Sequence, residues 1–598
     1  MSGAWDAAGP EARLADRIAA RRFGRPRAPA RFRAAPEPVF IGRPERGRRL
    51  VEGRLSFEGE TFDLPAGATP WVLDLPPGLA AELHRFAWLD DLAALGGRAA
   101  WAVARGWTTD WIARFGGGSG PGWTAARAGR RAMAWIDHAE MVEAGPETRG
   151  HDEAFRRSLG GQARFLVRRW PAAPPGPPRV EALCGLLRAG LALSGAGLPV
   201  AAAAEALARE AAAAVDDQGG LPSRDPERLM QLHARLCWAA AALEDAKRAV
   251  PTVLGDAIAR AAPVLRTLRH ADGGLVRMHG GGAGVEGRLD LALARGRGAS
   301  RRGGSPGRLA MGFARLSEAR VTVIADAAAP ATGYAGRDAH ASTLAIEVTA
   351  GRHPLIVSCG PGSSFGADWR RMGRETDSHS ALSLDGVSSS RLGAPQRLQG
   401  RTVEPLDHGP REVARAIGTR RGAEEGDPGA LVLDMSHDGW RESHGLICRR
   451  IVSLRRDGRE VSGEEALVAE TDRDLDALIA AAERTADRTG DGIGYAVRFH
   501  LHPDAEVSAD DAGIQASVTL RSGQVWALRH DGVARLSVEP SVFFDAAVPA
   551  PRPSRQVVLS GRIEEAATHL RWSLARVGAT EPSVRRLDRG LEWGGETV

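Results

Sequence analysis

The sequence is poor in the residues on which disulfide frameworks, metal cages and membrane spans depend. Only four of its 598 residues are cysteines, Cys184, Cys237, Cys359 and Cys448, and each lies singly in an apolar stretch. They are predicted to be buried small hydrophobic residues, which excludes a disulfide framework or a cysteine zinc cage. No segment has the roughly 18 uninterrupted apolar residues that a membrane helix needs, so no transmembrane segment is predicted.

Lysine and tyrosine are also scarce. Lys247 is the only lysine, so the basic side chains are almost all arginine, and the formal net charge is only +5. Because arginine serves as the basic residue throughout the chain, its abundance does not indicate nucleic-acid binding. No nucleic-acid partner is predicted. The only tyrosines are Tyr334 and Tyr495. No P-loop or dinucleotide-binding glycine motif is present, which argues against nucleotide chemistry.

The first part of the chain divides into a lead-in and a helical domain. Residues 1–50 are rich in arginine and proline and are predicted to be exposed or loosely packed. Residues 1–22 lack the apolar core of a secretory signal, so the sequence alone favours the cytoplasm. Over residues 51–300 apolar side chains recur three and four apart, which predicts helical hairpins. The clearest helix starts at Asp225, an N-cap followed by Pro226.

In the second part of the chain, residues 301–598, the spacing of apolar residues changes from a helical period to alternation. Short β-branched or alternating runs are separated by turn signals, and residues 456–459 and 521–524 are typical of hairpin turns. An antiparallel β-sandwich is therefore predicted. The predicted strands are 321–325, 343–348, 354–357, 381–384, 430–435, 451–454, 495–501, 514–520 and 533–538.

Two junctions in the helical half resemble each other. Residues 217–224 and 272–277 each contain a Gly-Gly turn with an arginine a few residues on, and the second leads to His279. Such a repeat would place Arg224 and Arg277 at one common cavity. The alternative is that the glycines only cap helices.

The polar residues of greatest chemical interest lie where the second domain opens. They follow one another as His340, an alternating strand over 344–348, a strand end over 357–360 and a Thr-x-x-His run over 376–386. This series resembles the opening of the sandwich domain in the heparinase II/III family of polysaccharide lyases. The resemblance implies an α/α toroid followed by an antiparallel β-sandwich, in agreement with the independent reading of the two halves.

The resemblance also implies a site between the two domains. Cleavage by β-elimination needs groups that transfer protons and groups that neutralise the uronate carboxylate. Because tyrosine is scarce, proton transfer is predicted at His340, His379 and Tyr334. Substrate binding is predicted at Arg224, Arg277, Arg371 and His279. The family binds zinc through histidines similar to His340 and His379 and through an acid, but Ser358 stands at the acid's position. A zinc site needs more than two ligands, so no metal or other cofactor is predicted.

The toroid departs from the family at several of its catalytic positions. Arg179 and Val180 stand where the family has an Asn-His pair. Leu221 and Arg228 stand where it has a histidine and a tyrosine. Other positions of that segment are kept, namely Gly219, Gly220, Arg224 and Pro226.

Three functions follow as alternatives. The first is a lyase that cleaves an acidic, uronic-acid-containing polysaccharide by β-elimination. The second is a catalytically degenerate carbohydrate-binding or cell-envelope protein on the same scaffold, which the lost toroid residues favour. The third is a glycoside hydrolase using Asp216, Asp217 or Asp225. The family resemblance implies the cell envelope or periplasm as the compartment, and the sequence sets neither the sugar nor the oligomeric state.

Overall fold

A computed structural model describes most of the chain. It covers residues 14–578, apart from 25–28, 34–37, 39, 144–148, 195–196, 283, 286, 297–308, 385, 399–400, 423–426 and 490–491. Helices dominate up to residue 295 and strands dominate from residue 313. The predicted domain boundary at residues 300 and 301 lies outside the described residues.

The helical half contains thirteen of the described helices. They are α1 (Leu14–Phe23), α2 (Pro44–Val51), α3 (Pro77–Leu83), α4 (Trp88–Leu95), α5 (Gly97–Phe115), α6 (Ala125–Asp137), α7 (Ala139–Val142), α8 (Arg149–Arg169), α9 (Pro177–Ala192), α10 (Val200–Ala214), α11 (Pro226–Asp245), α12 (Thr252–Leu268) and α13 (Arg288–Arg295). Three more follow among the strands, α14 (Ala367–Met372), α15 (Arg441–His444) and α16 (Asp472–Thr489).

The best-predicted helix, α11, has the expected start. The Asp225 carboxylate accepts a hydrogen bond from the Arg228 backbone N–H at 3.0 Å, and Pro226 occupies the first helical position. Helices α1 and α2 lie inside the predicted lead-in, yet Ala20 and Leu50 are buried in the helical core. The helical domain therefore incorporates part of residues 1–50, because apolar side chains there find a packed surface.

The strands run through both halves, with most in the second. They are β1 (Arg31–Phe32), β2 (Arg54–Phe57), β3 (Glu60–Asp63), β4 (Leu193–Ser194), β5 (Phe313–Glu318), β6 (Val321–Asp326), β7 (Ile346–Ala350), β8 (His353–Val357), β9 (Leu382–Leu384), β10 (Arg391–Leu392), β11 (Gln396–Leu398), β12 (Arg401–Val403), β13 (Leu406–His408), β14 (Val413–Arg420), β15 (Ala430–Trp440), β16 (Leu446–Arg455), β17 (Glu460–Val468), β18 (Gly494–Leu501), β19 (Glu506–Ala509), β20 (Gln515–Thr519), β21 (Val525–His530), β22 (Arg535–Phe543), β23 (Arg552–Arg562) and β24 (Ala567–Arg576).

Two antiparallel eight-stranded sheets form the second domain. One has the order β22-β23-β18-β8-β7-β6-β5 with β9 paired to β18, and the other has the order β14-β15-β16-β17-β24-β21-β20-β19. Their inner faces share one apolar core, in which the rings of Phe499 and Trp572 lie 4.9 Å apart. The predicted sandwich is confirmed, and every predicted strand overlaps an observed one.

No helix within the described part of the chain is long and apolar enough to span a membrane.

Candidate functional site

Arg224 extends from the helical domain into the sandwich. It stands in the turn before α11 with a left-handed backbone, φ +55°, which a non-glycine residue rarely adopts. Its Nη2 donates to Asp326 Oδ1, and its other hydrogen bonds are to backbone carbonyls. The carbonyls are those of Met311, Gly312, Ala328 and Ala329, at 2.9 to 3.2 Å. The five N–H groups of the guanidinium thus have acceptors within the protein.

The carboxylate of Asp326, at the end of β6, is the centre of a buried cluster. It accepts hydrogen bonds from His279 Nε2 at 2.9 Å and from Ser342 Oγ at 2.8 Å, in addition to the ion pair with Arg224. The other nitrogen of His279, Nδ1, accepts from the backbone N–H of His340 at 3.0 Å. We call these five residues and His379 the interdomain histidine cluster.

The hydrogen bonds fix the state of His279. A ring that donates from Nε2 to a carboxylate and accepts at Nδ1 is neutral, and burial lowers its pKa. Although burial alone would raise the pKa of Asp326, Arg224 and His279 hold it far below its usual value. Both nitrogens of His279 are engaged, so neither is open to a substrate in this arrangement.

His340 and His379 lie side by side next to His279. Their ring centroids are 5.2 Å apart, and both side chains are buried. Burial lowers the pKa of His379 to about 3 and lowers that of His340 well below its ordinary value, with neighbouring histidines adding to the shift. At neutral pH both imidazoles are therefore uncharged. His340 Nδ1 and both nitrogens of His379 have no hydrogen-bond partner within the described structure.

The residues at this position do not fit a zinc ion. The rings of His340 and His379 are adjacent, but Ser358 stands where the family resemblance places an acidic ligand, and zinc is held by nitrogen, thiolate or carboxylate ligands. Within the described ranges no group of three or more histidine, cysteine or acidic side chains is arranged to hold a metal.

Arg277 makes a second set of contacts across the domain boundary. Its Nε donates to the Ser358 carbonyl at 3.0 Å, and its Nη2 donates to the carbonyls of Cys359 and Phe544. Its backbone N–H donates to Glu347 at 3.0 Å. The repeated Gly-Gly junctions therefore both deliver a buried arginine to the sandwich, where each is held by protein acceptors.

A third contact region surrounds Asp338. Its carboxylate accepts from Arg228 Nη2 at 2.6 Å and from Arg370 Nη2 at 2.8 Å. Although burial alone would raise its pKa, these arginines hold the pKa of Asp338 far below its usual value. Arg374 lies in the same sequence segment and is buried. Its Nε donates to the Ala339 carbonyl at 2.8 Å, while Nη1 and Nη2 have no described partner.

The remaining predicted residues are not members of the cluster. Tyr334 is half-buried, and the Arg337 guanidinium stacks over its ring at 4.3 Å. Arg371 is half-exposed and pairs with Glu404 at 2.9 Å. Asp225, a candidate for glycoside hydrolysis, is buried and caps α11, and burial raises its pKa to about 6. The structure brings together Arg224, His279, His340 and His379.

Sequence reasoning missed the acidic residues that organise the region. Asp326 is the polar end of an otherwise apolar strand, which is a signal for a residue facing a site. Ser342 and Glu347 gave no such signal, because their roles depend on how the helical domain packs against the sandwich.

Comparison with known proteins identifies the second domain. Residues 301–573 match the model of the heparinase II/III-like C-terminal domain. The chain carries a heparinase II/III-like domain. Four members of the interdomain histidine cluster, Asp326, His340, Ser342 and His379, lie within the matched residues.

Solved structures establish the fold of the whole chain. Heparinase III superposes with a TM-score of 0.62 at 13% identity, covering 94% of this chain and 89% of that chain. A mutant of heparan sulfate lyase HepC from Pedobacter heparinus superposes with a TM-score of 0.54 at 14% identity, covering 94% of this chain and 87% of that chain. The heparinase II/III-like domain is thus the sandwich of an α/α-toroid plus β-sandwich architecture, as predicted.

A relative of known name matches over most of the chain. FtsZ-localized protein C from Caulobacter vibrioides (strain NA1000 / CB15N) is 29% identical over 546 residues, which is 90% of this chain and 89% of the relative.

Proposed function

We propose that the chain is a non-catalytic protein on the heparinase scaffold and that it associates with FtsZ assemblies. The supporting observation is that the proton-transfer groups expected of a lyase are occupied or enclosed by the protein itself. Both ring nitrogens of His279 are hydrogen-bonded, one to Asp326 and the other to the His340 backbone. The side chains of His340 and His379 are no more than 1% exposed.

The chemistry of β-elimination explains why this matters. A lyase needs a base for the sugar C5 proton, an acid for the leaving oxygen, and donors that neutralise the uronate carboxylate. The imidazoles are uncharged, buried bases without a path to a polymer in this conformation. Arg224 has no N–H group left for a carboxylate. Tyr334 is the only tyrosine outside the sandwich core, since Tyr495 is 2% exposed.

The name of the Caulobacter relative supports FtsZ as the proposed partner. The match to FtsZ-localized protein C extends through both domains, at 90% of this chain. A shared scaffold over that length favours a shared location. Of the two predicted compartments, the cytoplasm and the cell envelope, we propose the cytoplasm.

Co-pelleting tests the association. The purified full chain is centrifuged with FtsZ polymerised by GTP, and parallel samples contain FtsZ with GDP or no FtsZ. We expect the chain in the pellet only with the polymer. Equal pelleting in all three samples, or none in any, would overturn the proposed partner.

A lyase acting on an acidic polysaccharide is the second candidate. It is supported by the lyase-type architecture and by Arg374, whose two terminal nitrogens have no partner within the described ranges. Arginine forks pair with carboxylates and sulfates, so this group suits a polyanion in its chemistry. Arg374 is only 2% exposed, so this candidate requires the region to open before a polymer reaches it. Binding of an acidic polysaccharide without cleavage fits the first proposal as well, and only product formation separates the two.

A further inference from the structure

A cavity inside the helical domain carries an excess of positive charge. It has a volume of about 80 Å³ and includes none of the interdomain histidine cluster. Among the described residues that line it, six are arginines and three are acidic. The arginines are Arg43, Arg46, Arg85, Arg130, Arg235 and Arg288.

The acidic residues near the cavity are already engaged. Asp90 accepts from Arg130 Nη2 at 2.5 Å and from His138 Nε2 at 2.9 Å. Asp91 accepts from the backbone N–H of Arg43 at 2.8 Å. Glu181, just outside the cavity, contacts both Arg85 and Arg235. Glu82 also pairs with Arg85, and Glu227 and Asp545 act on Arg43 from outside the cavity. The lining itself sets six guanidinium groups against three carboxylates.

Two of these arginines present unused donors. Arg43 and Arg130 are 8% and 5% exposed, and Nη1 of each is buried without a hydrogen-bond partner in the described part of the chain. The Nη2 group of each is anchored, since Arg43 Nη2 donates to the Gly284 carbonyl and Arg130 Nη2 pairs with Asp90. Arg130 also lies over the Phe40 ring at 4.9 Å. Both guanidinium groups are thus held in place with the two N–H groups of Nη1 unused.

A buried charge without a counter-charge is unfavourable, and so is a buried donor without an acceptor. Burial is the main cause that lowers the pKa of Arg43, and the neighbouring Arg288 adds to it, whereas Asp545, Asp91 and Glu227 oppose the shift. An anion in the cavity would relieve both costs at once. The volume is well above the roughly 10–15 Å³ that one water needs, so a tetrahedral oxyanion is admissible.

We propose that this cavity binds a phosphate-type oxyanion through Arg43 and Arg130. The ligand is a free tetrahedral oxyanion or the phosphate group of a small ester, because arginine forks match that geometry. The site is independent of the proposed function, since it uses neither FtsZ nor the histidine cluster.

Calorimetry with the full chain tests the site. Inorganic phosphate, sulfate and glycerol phosphate are titrated in turn at constant ionic strength. Salt screens exposed charges much more than buried ones, so a fixed ionic strength keeps weak binding to surface arginines the same in each titration. We expect phosphate to bind. The tighter of inorganic phosphate and the ester identifies the source of the group.

Variants assign the binding to the cavity. Arg43→Gln and Arg130→Gln should each weaken phosphate binding about tenfold or more, since each removes a charge-assisted hydrogen bond. Arg209→Gln, at an exposed position on α10, should leave the affinity unchanged. If Arg130→Gln fails to fold by circular dichroism, Arg43→Lys decides, because it keeps the charge but loses the fork. No binding by the wild type, or unchanged affinity in the cavity variants, would overturn the proposal.

Discussion

At the scale of the residue, unusual backbone conformations concentrate where the two domains meet. Arg224, His279, Met311 and Leu344 all have positive φ, between +52° and +67°. Such conformations cost on the order of 1–3 kcal/mol each and persist only where surrounding contacts hold them. Here the contacts are known, because Arg224 and His279 both bind Asp326. The strain therefore belongs to an interdomain joint built around one carboxylate.

Asp326→Asn tests the importance of that carboxylate. The substitution leaves the buried Arg224 guanidinium without its counter-charge, so we expect the free energy of unfolding to fall by about 3–5 kcal/mol. Urea denaturation measures the loss. Asp476→Asn, at an exposed position on α16, is the matched control. A loss no larger than the control's would show that Asp326 does not hold the joint.

His379 predicts a dependence of stability on pH. Its pKa is about 3 in the folded protein, chiefly because of burial, and about 6.5 in an unfolded chain. The unfolded state therefore binds a proton that the folded state excludes between these values, and stability falls as the pH is lowered through that window. The contribution approaches about 1.4 kcal/mol per pH unit in the middle of the window.

The substitution His379→Gln should remove this contribution. Denaturation midpoints are measured at several pH values between 4 and 6.5, roughly the window set by the two pKa values. The slope of stability against pH should decrease in His379→Gln and stay unchanged in His408→Gln, which alters an exposed histidine. An unaltered slope in the first variant would mean that His379 takes up its proton in the folded state.

The sequence revealed some site residues without their partners. His340 and His379 could be placed together because they belong to one recognisable run of strands. The contact between His279 and Asp326 could not be predicted. The two residues lie 47 positions apart on different domains and meet only through tertiary packing. Arg224 was predicted as a site residue from the sequence. The carbonyls that accept its hydrogen bonds were not, because they lie more than 80 residues further along the chain.

At the scale of the element, prediction succeeded where local chemistry is strong. The start of α11 followed from Asp225 and Pro226, and the turn at 456–459 joins β16 and β17 as expected. Helix α16 was missed. Only a narrow face of it is apolar and buried, around Leu478 and Ala481, and it is inserted between strands, so its period is easily lost in the surrounding β pattern.

The crossing of α6 and α9 provides an element-scale prediction. A Cβ at Gly185 would lie 2.4 Å from the Gly129 Cα, so the two helices touch through their backbones. Gly185→Ala should destabilise the protein by about 1–3 kcal/mol because the helices must separate. Gly255→Ala, on α12 where nothing lies within 4 Å, should stabilise by up to about 1 kcal/mol. Thermal denaturation of both variants measures the difference, and equal effects would contradict the close crossing.

At the scale of the whole molecule, the two domains are joined by buried charge. Arg224 and Arg277 from the helical domain end on sandwich acceptors, and Arg228 pairs with Asp338. A lyase would keep such groups available to its substrate at the cleft. In this chain they join the domains, which supports the proposed non-catalytic role.

The most direct test of that account is the ultraviolet absorbance of the unsaturated uronate that β-elimination produces. The full chain is incubated with a panel of acidic polysaccharides, and heparinase III serves as the positive control. We predict no rise above the protein-free rate on any substrate. A rise that depends on the chain and disappears in His340→Ala or His379→Ala would contradict the account and establish a lyase.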